Sequence, residues 1–201
     1  MGGWRSRGKI AAVVLLGVVM VGLPACAASA RQAYADRANG VSFSYPGDWL
    51  LNGDDDAATA KLRITSVASA LAVVQLEGNF ADEGPYKGTD FEAGAFAYTV
   101  LSNSTEAQCF ATLDASSSVP QKPVIATWKG LPSRRLEAHY GIAGTNDAHQ
   151  MVAVYRQGKC YLLETVIVSR DPGDVTRPLA PVQWKAIRAQ FAGVLRSVTI
   201  S

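Results

Sequence analysis

The chain has 201 residues, 48% hydrophobic and 18% charged, with 19 Lys and Arg against 17 Asp and Glu. That is enough for one domain with a full core, and the formal net charge of +2 gives no strong field. The small positive surplus sits in the first 25 residues: without Arg5, Arg7 and Lys9 the balance is 16 basic to 17 acidic residues, a net charge of −1, which speaks against a nucleic-acid partner.

Residues 1–25 read as an export signal. A basic start carrying Arg5, Arg7 and Lys9 precedes an apolar run from Ile10 to Val21, too short for an ordinary spanning helix. The stretch Leu23-Pro24-Ala25-Cys26 resembles the bacterial lipobox, with Pro24 standing where a small residue is usual. Cleavage before Cys26 would make that thiol the lipidation site and the new amino end. Two alternatives stay open: cleavage after Ala28-Ser29-Ala30, which would secrete a soluble protein, or retention of the leader as an anchor. Residues 26–38 are expected to form a tether, and 39–201 a single globular domain.

Within that domain Val41-Ser42-Phe43-Ser44-Tyr45 alternates as a strand, stopped by Pro46-Gly47-Asp48 before Trp49. Further strands are expected over Leu71–Leu76 and Gly94–Leu101. Thr105 with Gln108 fits a capping box and opens a helix with Cys109, Phe110 and Leu113 on one face. Ala115 to Pro123 reads as a linker. Arg134–Ile142, Gln150–Gln157 and Cys160–Val168, separated by turn residues, make an antiparallel meander. Pro181 suits the first position of a helix with Trp184, Ile187, Phe191, Val194 and Leu195 as its apolar stripe, and Ser197–Ile200 closes as a strand. The fold class is α+β with an antiparallel sheet.

The opening Asn39-Gly40-Val41-Ser42-Phe43-Ser44-Tyr45-Pro46-Gly47-Asp48-Trp49 resembles the start of PsbP/Mog1-like domains. The closing helix running into Val194-Leu195-Arg196-Ser197-Val198 is similar to that family's end. The resemblance implies an α/β/α sandwich around a mostly antiparallel sheet. It also implies a role in binding or assembly, since that family has no shared catalytic residues to carry over.

Three cysteines in an exported chain call for an unequal division. If Cys26 takes the lipid, Cys109 and Cys160 are left to form a disulfide in an oxidising compartment; the alternative is two separately buried thiols. No C-x-x-C occurs to support a redox role. If the hairpin turns about Gly144, His139 and His149 face each other across two strands. A metal ion between them, near Glu137, is then the reading to test. The loop from Gly84 to Phe91 carries Tyr86 and Phe91 as candidate binding aromatics, against the alternative that both tuck into the core. Glu164, inside an apolar strand, is expected at an edge or beside an arginine. Asp54-Asp55-Asp56 lacks the alternation of a calcium loop. Neither a G-x-S-x-G elbow nor a phosphate-binding glycine motif is present.

The expectation is a lipid-anchored, disulfide-bonded protein of the bacterial cell envelope. It faces the periplasm, uses no cofactor, performs no catalysis and acts by contact with another envelope protein. A small-molecule or metal-binding lipoprotein is the alternative, and an envelope hydrolase the third reading.

Overall fold

The computed structural model describes residues 30–51, 70–79, 84–116, 121–142 and 144–201. The apolar and polar alternation of the sequence is spent on two sheets. Strands β1 (Arg31–Asp36), β2 (Val41–Pro46) and β10 (Thr199–Ile200) form the smaller one, in the order β1-β2-β10. The larger contains β3 (Leu50–Leu51), β4 (Ala72–Glu77), β5 (Phe91–Leu101), β6 (Val124–Trp128), β7 (Leu131–Ile142), β8 (Thr145–Arg156) and β9 (Lys159–Arg170), in the order β3-β4-β5-β9-β8-β7-β6. Every pairing among the described residues is antiparallel. Helix α1 (Glu106–Ser116) follows β5 and helix α2 (Pro181–Ser197) precedes β10. The α+β expectation holds, and the meander expected in the second half is longer than its apolar stretches alone suggested.

Helix α2 is fixed at its N-terminal end by local chemistry. Pro181 supplies a preset φ at the first position, and Gln183 reaches back so that its Oε1 accepts from the Ala180 N–H at 2.9 Å. Its stripe of Ile187, Phe191, Val194 and Leu195 is buried against Phe96, Tyr98, Tyr161 and Leu163 of the large sheet and Val41, Phe43 and Tyr45 of β2. Each such side chain contributes about 1.5–3 kcal/mol on burial. The close approach depends on Gly94, because a Cβ there would overlap the Phe191 ring. Trp49 packs on the same ring with centroids 4.4 Å apart.

The opposite face of the large sheet carries α1. Its expected capping box is present: the Thr105 N–H donates to Gln108 Oε1 at 2.8 Å and the Gln108 N–H to Thr105 Oγ1 at 3.2 Å. Cys109 and Leu113 sit on Leu136, Ala138, Met151, Ala153 and Cys160, and Cys109 is bonded to Cys160 with their Cα atoms 5.2 Å apart. The disulfide is therefore a helix-to-sheet staple.

One boundary differs from the sequence reading. Residues 31–36, expected within a tether, form strand β1. It pairs along β2 from Arg31 opposite Pro46 to Asp36 opposite Val41. Tyr34 stacks on Phe43 at 4.9 Å, and Arg31 Nη2 donates to the Ser44 carbonyl at 2.7 Å. An edge strand with an exposed face carries mostly polar and small residues, so its composition alone does not distinguish it from a tether.

Candidate binding groove

The sequence candidates separate once the register is known. His139 pairs with Ala148, and His149 with Ala138. The last pair of the hairpin is Ile142 with Thr145, so its centre is offset from Gly144 and the register moves by one residue. Successive strand residues point to opposite faces. His139 is therefore exposed on the α2 side, while His149 is buried on the α1 side. The expected imidazole pair does not exist. Among the described residues no group of three or more His, Cys, Asp and Glu is placed to hold a metal ion.

His149 instead meets Glu164. Its Nδ1 lies 2.9 Å from Glu164 Oε1, with both side chains almost fully buried, and Tyr140 closes over the imidazole edge-on at 5.0 Å. The arginine or edge position expected for Glu164 is replaced by this histidine. In the loop 84–91, Phe91 is fully buried between Tyr86 at 5.0 Å and Trp184 at 5.9 Å. Tyr86 is half-buried. Asp90 ties the same loop to the start of α2, accepting from the Leu179 N–H at 2.7 Å and from Trp184 Nε1 at 3.1 Å. Phe91 is a core residue, not a binding aromatic. Cys26 and Asp54-Asp55-Asp56 lie outside the described residues.

Of the site the fold does form, the sequence singled out only Glu137 and His139, and for a metal. Between α2 and the strands β6, β7 and β8 the layers part and leave a groove. Along β7, period-two alternation puts Ser133, Arg135, Glu137 and His139 on the groove side while Leu136 and Ala138 face α1. The groove consists of two neighbouring cavities under α2, with a third beside them on β6 and β7 that shares lining residues with both. One, of about 410 Å³, lies at the β6 end between Trp128, Ser133, Val152 and Leu195. A second, of about 470 Å³, continues toward His139, Thr165 and Arg188 and shares Gln150 and Ala192 with the first. The third, of about 500 Å³, lies toward Lys122 and Val124 and shares Arg135 with the first and Glu137 with the second. From Ser133 to His139 this floor is about 20 Å long at the usual strand rise.

Its charges are arranged around Arg135, which forms an ion pair with Glu137. Gln150, its amide assigned from its hydrogen-bond partners, turns its oxygen to the Arg135 guanidinium at 2.6 and 2.9 Å. Arg188 lies on the Trp184 ring at 5.7 Å. At the β6 end two polar atoms are buried without a hydrogen-bond partner: Ser133 Oγ and Trp128 Nε1. Ser133 retains 2% exposure. The groove's hydroxyl and its exposed imidazole, Ser133 and His139, are about 20 Å apart along β7 and form no Ser–His pair. The signal that could have found this floor was the Arg135, Glu137, His139 alternation inside the strand expected over Arg134–Ile142, with Ser133 just before it.

No protein-family model and no curated protein matches the sequence. Several solved structures are similar in fold. PsbP of the cyanobacterium Synechocystis sp. PCC 6803 is 12% identical over 96% of this chain and 100% of its own, with a TM-score of 0.41. The Ran-binding protein Mog1p of Saccharomyces cerevisiae is 7% identical over 86% of this chain and 96% of its own, with a TM-score of 0.44. LpqN of Mycobacterium tuberculosis, described as involved in cell envelope biogenesis, is 11% identical over 86% of this chain and 91% of its own, with a TM-score of 0.45. Among the described residues no helix is long and apolar enough to cross a membrane.

Proposed function

We propose that this protein is a non-catalytic binding module of the bacterial cell envelope. It is held to the membrane by lipid on Cys26 and faces the periplasm, and it grips an extended segment of another envelope protein in the groove between α2 and β7. The observation that supports binding is the row of three neighbouring cavities along the polar side of one strand. An open channel of that length suits an extended chain, whose backbone groups find partners in alternating side chains such as Arg135, Glu137 and His139. The disulfide fits an oxidising compartment, and the leader supplies the route to it.

A second reading, a small-molecule site, is favoured at one place only: the β6 end, where Ser133 Oγ and Trp128 Nε1 are buried without partners.

Photo-crosslinking in intact cells tests the module. A photoreactive residue replacing His139 in the groove is expected to give a discrete protein adduct. The same residue replacing Arg37, in the turn between β1 and β2, is expected to give none. Equal adducts from both positions, or none from His139, would remove the support for the groove as the contact surface.

A further inference from the structure

The β6 end of the groove has a chemistry of its own. Trp128 Nε1 can only donate a hydrogen bond, and the Ser133 hydroxyl can donate one. Both are buried without a partner, a state that folded proteins rarely leave uncompensated. Two arginines, Arg135 and Arg196, line the same cavity, and Arg196, in the last turn of α2, sets a cation against the negative end of the helix dipole, which would otherwise oppose an anion there. The rest of the wall is Ala126, Val152, Ala192 and Leu195 with two polar residues, Thr127 and Gln150, and the Gln150 oxygen is already turned to Arg135. The cavity of about 410 Å³ falls in the size range of small-ligand sites.

We propose that this cavity is a carboxylate site, in which Trp128 Nε1 and Ser133 Oγ donate to a ligand carboxylate whose apolar substituent lies on Val152 and Leu195. Trp128 Nε1 requires an acceptor, which excludes ammonium groups and other cations. Arg135 is already paired with Glu137, so Arg196 is the cation that selects an anionic acceptor over a neutral one, because charge-assisted hydrogen bonds are about twice as strong as neutral ones. A carboxylate offers two oxygens with about four acceptor positions, enough for both orphaned donors and a guanidinium together. The last residue of an extended chain and a free organic acid share this chemistry. The inference rests on the groove being a binding surface, and it names what the groove's β6 end recognises.

The test is calorimetric titration of the full-length protein in nanodiscs. The probes are hexanoate, N-acetylleucine, N-acetylleucinamide and an acetylated hexapeptide ending in leucine, as free acid and as amide. Each acid that binds is expected to do so at least about tenfold more tightly than its amide counterpart, the cost of losing a charged hydrogen-bond acceptor. Trp128→Phe and Ser133→Ala should each weaken acid binding about tenfold, Ser133→Ala without lowering the melting temperature of the free protein, since it removes only a buried hydroxyl that had no protein partner. Arg196→Gln, an exposed change, should weaken the acids and leave the amides unaltered. Tighter binding of the peptide acid than of hexanoate identifies a chain terminus as the source, and the reverse order a free organic acid. Equal affinity for acid and amide, unchanged affinity in the variants, or no binding of any acid would overturn the carboxylate site. A His139 crosslink that persists beside such a failure would leave the binding module standing and remove only this assignment.

Discussion

Cys109 in α1 is bonded to Cys160 at the head of β9, joining two residues separated by 51 positions. Both are fully buried. Closing a loop of that length lowers the entropy of the unfolded chain by an amount worth about 4 kcal/mol in the chain-entropy model. Cys160→Ala, or reduction of the bond, is expected to lower unfolding free energy by about 2–4 kcal/mol. Urea denaturation with and without reductant measures it, and a Cys109→Ala/Cys160→Ala double variant should show no further loss on reduction.

The buried contact of His149 Nδ1 with Glu164 Oε1 predicts strong coupling. Replacing His149 by Leu leaves a buried carboxylate without its imidazole and should cost about 3–5 kcal/mol. The double replacement with Glu164→Leu should cost less than the two single changes added together. A double-mutant cycle in urea reads the difference; strict additivity would show that the two side chains do not act as a pair.

Stability should fall at both ends of the pH range through one small network. Asp36 accepts from Asn39 and, at 2.8 Å, from the Tyr98 hydroxyl. The Asn39 hydrogen bond chiefly, with that of Tyr98, holds the Asp36 carboxyl below its usual 3.8. A carboxyl whose folded value is depressed stabilises fully above its unfolded value and loses that contribution as pH falls through the folded one, below 3.8. Burial first, and then the hydrogen bonds with Tyr34 and Asp36, push the Tyr98 hydroxyl well above its usual 10.0. A phenol raised in this way contributes fully below pH 10.0 and loses that contribution as pH rises from there through the folded value. Asp36→Asn should flatten the acid limb and Tyr98→Phe the alkaline limb of a pH–stability curve measured by thermal melts.

Labelled palmitate should enter the protein through Cys26. Cys26→Ser is expected to abolish incorporation and to release the protein from the membrane fraction or leave its leader uncleaved. Incorporation that survives the substitution would place the lipid elsewhere and undo the proposed anchor.

Much of the frame was legible because it rests on local rules. The Thr105–Gln108 box, Pro181 opening α2 and the stripe from Ile187 to Leu195 each follow from one helical period, and Gln157-Gly158 marks the turn between β8 and β9. The meeting of Cys109 and Cys160 followed from compartment and count. The imidazole pair failed because a hairpin's register depends on where its turn is centred, and an offset of one residue sends His139 and His149 to opposite faces. The partner of Glu164 was hidden by the same register. Strand β1 escaped notice because edge strands are ordered by their neighbour more than by their own composition. The groove was invisible for a different reason: Trp128 and Ser133 acquire meaning only when α2, remote in sequence, brings Ala192 and Leu195 over them.

The account stands most directly on the groove being occupied in the cell. Native mass spectrometry of the protein extracted from its own membrane, wild type beside Ala192→Trp, measures that. Ala192 lines both cavities under α2, so an indole there fills the channel from the helix side. The wild type is expected to carry a bound protein or ligand mass that the variant lacks; the same bound mass on both, or none on either, would contradict it.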